Sequence, residues 1–489
     1  MENILLAVQL LMTPAALAAI VLGTIFGAIV GSLPGLGSVL AITIVLPFTY
    51  SMDMIPSIAL VLSIYCSSVF GGSLSAILIN TPGTPQSAAT VLDGFPMTRS
   101  GKAAEAIGWA TVSSVIGGLF SAIILILAAP QLAAVALKFG PIETFALIAL
   151  ALTCIAGVSR GSMVKGILAG LLGLLLATVG TDPMTGSTRF DFEIFQLSAG
   201  VSLVPVLVGL FAFTEVFWRL GERDQPIVTS VMRGGFVVAP LREWWLRRVT
   251  LLKSATIGTL VGILPGTGAA TASFIAYAEV KRSGAFRDNL GKGEPEGIVA
   301  SETSNNAVTG GALVPTLALG IPGDPVTAVV MSTLIIQGVQ PGVRLFVDNP
   351  EVMNAAFLAL ILSNIALLAV AALGTRGITK VLAMPEPVLL TMVVVLSTVG
   401  SYGVNGSMFD VLVALIAGVV GLGLRYCSVP VAPIVIGLVL GPIFEESLRQ
   451  GLIITDGSFA AFFAFQRPIA LGLILVTVAL LAITARGEG

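Results

Sequence analysis

The sequence predicts an all-α polytopic membrane protein built from two inverted-topology repeats, with re-entrant hairpins, broken helices and roughly ten to thirteen membrane segments. Hydrophobic residues make up 56% of the 489 and charged residues only 10%, against roughly 25% charged in an ordinary soluble domain. No Asp, Glu, Lys or Arg lies between Glu2 and Asp53, and the same holds for 54–92, 106–137 and 254–278. A pair of Gly/Pro-rich interruptions is also written twice. Gly31-Ser32-Leu33-Pro34-Gly35-Leu36-Gly37 precedes Asn80-Thr81-Pro82-Gly83-Thr84-Pro85, and Gly262-Ile263-Leu264-Pro265-Gly266-Thr267-Gly268 precedes Gly320-Ile321-Pro322-Gly323-Asp324-Pro325.

In chain order, 4–32 is the first apolar block and 38–49 the second, with the Pro34-Gly35 break between them. After a turn at 50–53, a long uncharged helix over 55–79 ends at the break over 80–85. The chain resumes for two or three turns and exits at Asp93-Gly94-Phe95-Pro96. Further spans are expected near 104–129, 141–158, 161–179 and 197–217. From 218 to 253 the chain turns basic, with Arg219, Arg223, Arg233, Arg242, Arg247, Arg248 and Lys253 against Glu222, Asp224 and Glu243. Trp244 and Trp245 beside two arginines suit an interfacial helix with indoles at headgroup level, or a plain cytoplasmic connector.

The second half then repeats the first: 254–264, the Pro265-Gly266 break, 269–280, a polar loop, 299–319 and the break at 320–325. Spans near 352–373, 385–400, 407–424, 429–443 and 459–484 complete it. Gly161-Ser162-Met163 and Gly406-Ser407-Met408 extend the correspondence. The offset runs from 231 residues at Pro34/Pro265 to 245 at Gly161/Gly406. The chain thus divides into a first transmembrane repeat (1–217), a basic cytoplasmic or interfacial linker (218–253) and a second transmembrane repeat (254–489).

The two repeats are expected to face opposite ways. The loop at 50–53 has no Lys or Arg, whereas its counterpart carries Lys281, Arg282, Arg287 and Lys292, and positive charge marks the cytoplasmic side. The leg over 254–264 covers only about 16 Å at 1.5 Å per residue, so its hairpin enters and leaves by one face.

Composition also excludes function classes. Histidine is absent, which removes Ser-His-Asp and Cys-His catalysis and imidazole ligation. Cys66, Cys154 and Cys427 are single and distant, and read as small core residues. A net charge of −2 and no basic patch with interleaved aromatics argue against a nucleic-acid partner. The N-terminus lacks a positive n-region and reads as mature chain. No cofactor and no enzymatic activity are expected.

Breaks of this kind persist at membrane depth where they line a cavity or are buried in protein, and repeated breaks mark the binding site of secondary transporters. Thr84-Pro85 and Asp324-Pro325 each place an N-cap residue before a proline suited to the first helical position, so a half-helix should start at each. Two positive dipole ends would make an anion site without an arginine. The substrate-binding candidates are therefore Pro34, Gly35, Gly37, Asn80, Thr81, Gly83, Thr84, Pro265, Gly266, Thr267, Gly268, Gly323 and Asp324. Carbonyls freed at Asn80 and Gly320 suit sodium, which makes Asn80, Ser304, Asn305, Asn306, Gly320 and Asp324 the cation-binding candidates. Asp324 reads equally as an N-cap, and the Ser304–Asn306 side chains as helix-to-helix hydrogen bonds.

At Leu33-Pro34-Gly35-Leu36-Gly37, Asn80-Thr81-Pro82-Gly83-Thr84-Pro85, Asp93-Gly94-Phe95-Pro96 and Gly320-Ile321-Pro322-Gly323-Asp324-Pro325, the sequence resembles the large membrane subunit of the tripartite tricarboxylate transporters, the TctA family. The resemblance implies a bacterial inner-membrane importer working with a small four-helix membrane subunit and a periplasmic solute-binding protein. It also implies a sodium or proton gradient as energy source and a carboxylate such as citrate as substrate. Looser similarity to the broader ion-transporter superfamily implies elevator-type movement of a transport domain. The alternatives are a stand-alone ion-coupled organic-anion carrier, a channel with the same half-helix geometry, and an intramembrane enzyme, against which the missing histidine and acidic dyad speak.

Overall fold

The computed structural model describes residues 2–158, 163–182, 184–221, 236–266, 268–382, 384–463 and 467–487. Arg223, Arg233, Glu222 and Asp224 of the basic linker lie outside these residues, as do Gly161, Ser162 and Thr267. Among the described residues the chain is all-α apart from one short antiparallel ribbon that pairs Gly180 with Arg189 and Thr181 with Thr188. Among the described residues, seven helices are long and apolar enough to cross a membrane: Pro14–Ser32, Met54–Ile79, Ala103–Ala136, Leu203–Gly221, Pro350–Ile378, Glu386–Asn405 and Met408–Tyr426.

Two helices form the centre. Met54–Ile79 is buried from Pro56 to Leu78 except at half-buried Leu60, and Pro295–Leu319 is buried from Glu296 to Ala318. The second is 25 residues long, about 37 Å at 1.5 Å per residue. Its Glu, Ser, Thr and Asn residues make it too polar to face lipid, and it is enclosed by protein instead. Cys66 of the first meets Thr309 of the second, and Ser73 meets Glu302. Seven residues forward on one helix match seven back on the other, so the two central helices cross antiparallel.

Each central helix is sheathed by the leading leg of its own hairpin. Pro14–Ser32 lies along the first and Arg248–Ile263 along the second, through small residues that let backbones approach. A Cβ built on Gly27 would stand 2.2 Å from Ser67 Oγ, and one on Gly258 would stand 2.2 Å from the Ser304 carbonyl oxygen. The second leg begins at Arg248 rather than at 254 because the helix continues through Thr250 and Lys253. At 16 residues it covers about 24 Å, still less than a hydrocarbon core of roughly 30 Å.

The two hairpin turns are built alike. Leu33 and Leu264 end the leading legs at φ −82°, ψ 115° and φ −81°, ψ 113°. Gly35 and Gly266 follow at φ 84° and 86°, and Gly37 and Gly268 at 69° and 72°. Both turns require the left-handed region twice, which explains their spaced glycines. The central helices also end alike, with Asn80 at φ 58° and Gly320 at φ 70°, the left-handed C-cap that favours Gly and tolerates Asn.

Outside this centre, helices such as Glu386–Asn405 and Met408–Tyr426 expose Met392, Val395, Val399, Leu412, Ile416 and Val419, a surface fit for lipid. Trp244 is buried against Trp109 with ring centroids 4.2 Å apart, and Trp245 is exposed under Arg248. Only one indole of the pair is therefore free for a headgroup layer. Of the cysteines expected in the core, Cys66 is buried, Cys154 is half-buried and Cys427 is exposed.

Candidate functional site

The sequence places each break where its central helix stops, at Asn80 and Gly320. The structure carries the chain back along the helix before it turns. Gly83 N–H donates to the Gly72 carbonyl at 3.1 Å, and Gly323 fits against Ala312, where a Cβ would meet backbone at 2.8 Å. The working parts of the breaks thus lie two turns inside the helix ends. With Cys66 level with Thr309, Ala312 is level with residue 63, nine residues from Gly72, so the two breaks stand about 14 Å apart along the crossing.

The second break is a complete capping box. Asp324 Oδ1 accepts from Thr327 N–H at 2.7 Å and Thr327 Oγ1 at 2.9 Å, while Thr327 Oγ1 accepts from Asp324 N–H at 2.9 Å. The Tyr65 hydroxyl, from the other central helix, donates to Oδ2 at 2.9 Å. The helix Pro325–Ile336 starts at the proline as expected. Its positive end, however, is filled by its own N-cap carboxylate, so an external anion finds no vacant N–H groups there. The N-cap role read for Asp324 is realised.

The first break departs from the expectation. Pro85 opens a single 3₁₀ turn, Pro85–Ala88, and the α-helix begins only at Val91. Thr84 is buried, and its carbonyl accepts from Ser87 N–H at 3.1 Å and Ser87 Oγ at 2.9 Å. Its hydroxyl caps no helix. Four residues build no macrodipole worth the name, so the anticipated pair of half-helix termini is absent as an anion trap.

The space between the breaks holds a different recognition element. Asn305 and Asn306 lie at levels between Gly72 and Ala312, are fully buried, and make no hydrogen bond through either atom of either side-chain amide. Four orphaned amide atoms in a protein interior are expensive unless a ligand or water meets them. Ser304, grouped with them by sequence, returns its hydroxyl to the Ala300 and Ser301 carbonyls at 2.9 and 3.0 Å and faces the Gly258 leg.

The hairpin tips reach the breaks. Gly266 N–H donates to the Gly323 carbonyl at 2.8 Å, and a Cβ on Gly83 would stand 2.2 Å from the Gly31 carbonyl oxygen. Arg219 hydrogen-bonds the Pro34 carbonyl and pairs with Glu215 and Glu386 at 2.7 and 2.6 Å. Gly35 lines a cavity of about 410 Å³ shared with Phe211, Thr214, Glu215, Arg425 and Val429. Pro265 and Gly268 complete the second tip, whereas Thr267 lies outside the described residues.

Other candidates are not brought in. Asn80 and Thr81 are exposed at one end of the crossing. Gly320 is at the other, where its N–H donates to Thr316 O at 3.1 Å and Pro341 packs on it. By helix rise they stand more than about 30 Å apart, so no single ion touches both. Their left-handed caps end helices.

Three features of the site are not evident in the sequence. Each post-break segment docks on the hairpin loop of the opposite half. Asp93 Oδ1 accepts from Gly291, Gly293 and Glu294 N–H at 2.8, 3.0 and 2.9 Å, and Oδ2 from the Tyr277 hydroxyl at 2.8 Å. Reciprocally, Gln337 Nε2 donates to the Thr49 carbonyl at 2.7 Å and Ser57 Oγ at 3.1 Å. The third is Glu302, fully buried and bonded by hydroxyls. Its signal was the i, i+3, i+4 spacing to Asn305 and Asn306, which puts all three near one side of the helix.

Residues 17–436 match the family model described as "Tripartite tricarboxylate transporter TctA family". A relative from Agrobacterium vitis, named as an uncharacterized 52.8 kDa protein in the TAR-I ttuC' 3'region, is 35% identical over 492 residues, covering 99% of this chain and 95% of its own. A second from the same organism, an uncharacterized protein in the TAR-II ttuC' 3'region, is 34% identical over 230 residues, 46% of this chain and 94% of its own. No solved structure matches.

Proposed function

The chain belongs to the tripartite tricarboxylate transporter TctA family and is a multi-pass membrane component of a transporter; from that premise we propose that it is the large permease subunit of a binding-protein-dependent secondary importer for a tricarboxylate or another carboxylate. A sodium or proton gradient drives uptake. A periplasmic solute-binding protein delivers the substrate, a small four-helix membrane subunit completes the carrier, and the bacterial inner membrane houses it.

The observation that carries this reading is the pair of orphaned amides, Asn305 and Asn306, between two breaks and two hairpin tips. An amide N–H donates to a carboxylate without the charge of an arginine, so the anion is held yet released. The cavity at Gly35 is large enough for a small ligand and is the approach from one side, while the tips close around the substrate.

The antiparallel crossing of the two central helices, each with the same hairpin and the same cap, supports inverted repeats. An elevator-type movement suits this arrangement, because hairpins, breaks and central helices interlock as one body while Arg219 and Glu386 meet the first tip from outside it.

The test is uptake of a labelled carboxylate panel by proteoliposomes holding this chain and its small subunit, with and without binding protein, under an imposed sodium gradient. Uptake that needs both establishes the tripartite reading and names the substrate. Sodium-driven uptake without binding protein shows a stand-alone carrier, and single-channel current shows a channel.

A further inference from the structure

We infer that Glu302 and the hydroxyls around it form a binding site for one sodium ion, distinct from the helix-break carbonyls and from Asp324. The inference deepens the ion-coupled reading above and rests on it for its role in transport.

Glu302 is fully buried in the second central helix, where an uncompensated charge is costly. Among the described residues no Lys or Arg pairs with it. What surrounds it is oxygen. Thr90 Oγ1 hydrogen-bonds Oε1, Ser114 Oγ lies 3.0 Å from Oε2, and Ser301 Oγ lies 3.1 Å from Thr90 Oγ1. Ser73 of the first central helix faces the same carboxylate.

One carboxylate with several neutral oxygens suits a hard monovalent cation, which takes oxygen ligands and balances the charge. One helical turn onward on the same helix, Asn306 offers a buried amide oxygen with no partner, a free acceptor of the kind a cation takes. Three ionisable groups on the surrounding elements, Asp93, Glu296 and Tyr65, are engaged elsewhere. Asp93 is held by loop N–H groups and Tyr277, Glu296 accepts from Thr250 Oγ1 at 2.6 Å and Phe286 N–H at 2.9 Å, and Tyr65 serves Asp324.

The position also gives the ion a task. Thr90 belongs to the segment after the first break, Ser114 to the next helix, Ser73 to the first central helix and Glu302 to the second. An ion here ties all four together beside Asn305 and Asn306, so its arrival completes the pocket that the substrate needs.

The test is saturable ²²Na⁺ binding to the purified full-length chain in detergent, with no substrate present, checked for monodispersity. Glu302→Gln should abolish saturable binding, and Thr90→Val and Ser114→Ala should each weaken it by about tenfold or more. Asp324→Asn should leave it within about twofold of wild type, the scatter expected of a residue outside the ligand set. The two hydroxyl variants keep the test alive should Glu302→Gln fail to fold. Wild-type affinity in all three cage variants overturns the site, as does wild-type protein without saturable sodium binding whose uptake follows a proton gradient. Sodium binding lost in Glu302→Gln together with sodium-independent uptake retains the site and removes the coupling reading.

Discussion

Replacing Asp324 separates its architectural role from a ligand role, because Asn and Ala remove different things. Asp324→Asn keeps an acceptor for Thr327 N–H and Oγ1 and a polar partner for the Tyr65 hydroxyl, and Asn caps helices about as well as Asp. Asp324→Ala removes the cap, worth about 1 kcal/mol, and leaves the buried Tyr65 hydroxyl without a partner, a further loss of about 1–3 kcal/mol. The expected loss is therefore about 2–4 kcal/mol for Ala and under about 1 kcal/mol for Asn.

Tyr65→Phe should lose about 1–3 kcal/mol by leaving Asp324 Oδ2 buried without its partner. Combined with Asp324→Ala it should fall short of the sum, since the two residues share one contact. Midpoints of denaturant unfolding in detergent micelles rank the four proteins. If Asn is as damaging as Ala, or if Tyr65→Phe and Asp324→Ala add fully, the capping-box account of this break is refuted.

Three further outcomes follow from named contacts. Gly83→Ala places a methyl 2.2 Å from the Gly31 carbonyl oxygen, a clash with backbone expected to destabilise by about 1–3 kcal/mol; a variant melting with wild type would show that the break does not press on the first hairpin. Asp93→Ala removes the acceptor of three loop N–H groups, so hydrogen exchange at 286–294 should quicken by about tenfold or more, and unchanged protection there would contradict the clasp. Finally, Asp182 is held well below the usual carboxylate range, mainly by the hydrogen bond from Arg449, at 2.8 Å. A depressed folded value gives stability that is present above the ordinary range and lost only as pH falls through the depressed one. In Arg449→Met, protease cleavage within 180–189 should therefore appear on acidification near pH 4, the ordinary Asp range, where the wild type still resists; equal acid resistance would show that Arg449 does not hold Asp182.

Local chemistry made much of this legible. The spaced glycines of both tips, the capping pair Asp324-Pro325 and the apolar helices depend on neighbouring residues, and each is found. What the sequence concealed depends on distance along the chain. A helix end announces itself at Asn80, but nothing local says that the chain then runs back to Gly72, which moves the site two turns inward. Thr84-Pro85 carries the same local signal as Asp324-Pro325, yet without a carboxylate to hold the first turn it forms only 3₁₀ structure. The Glu302 cage joins residues 212 and 188 positions apart, so its carboxylate read as part of a span and not as a centre.

The most direct test of the account is the initial rate of carboxylate uptake in proteoliposomes for wild type, Asn305→Ala and Asn306→Ala, with Asn80→Ala as control. The account predicts that both central variants raise KM by about tenfold or more, the weight of a lost buried hydrogen bond to a charged group, while Asn80→Ala transports like wild type. Unchanged KM in both central variants, with Asn80→Ala impaired, would place the substrate at the helix end and contradict the site between the breaks.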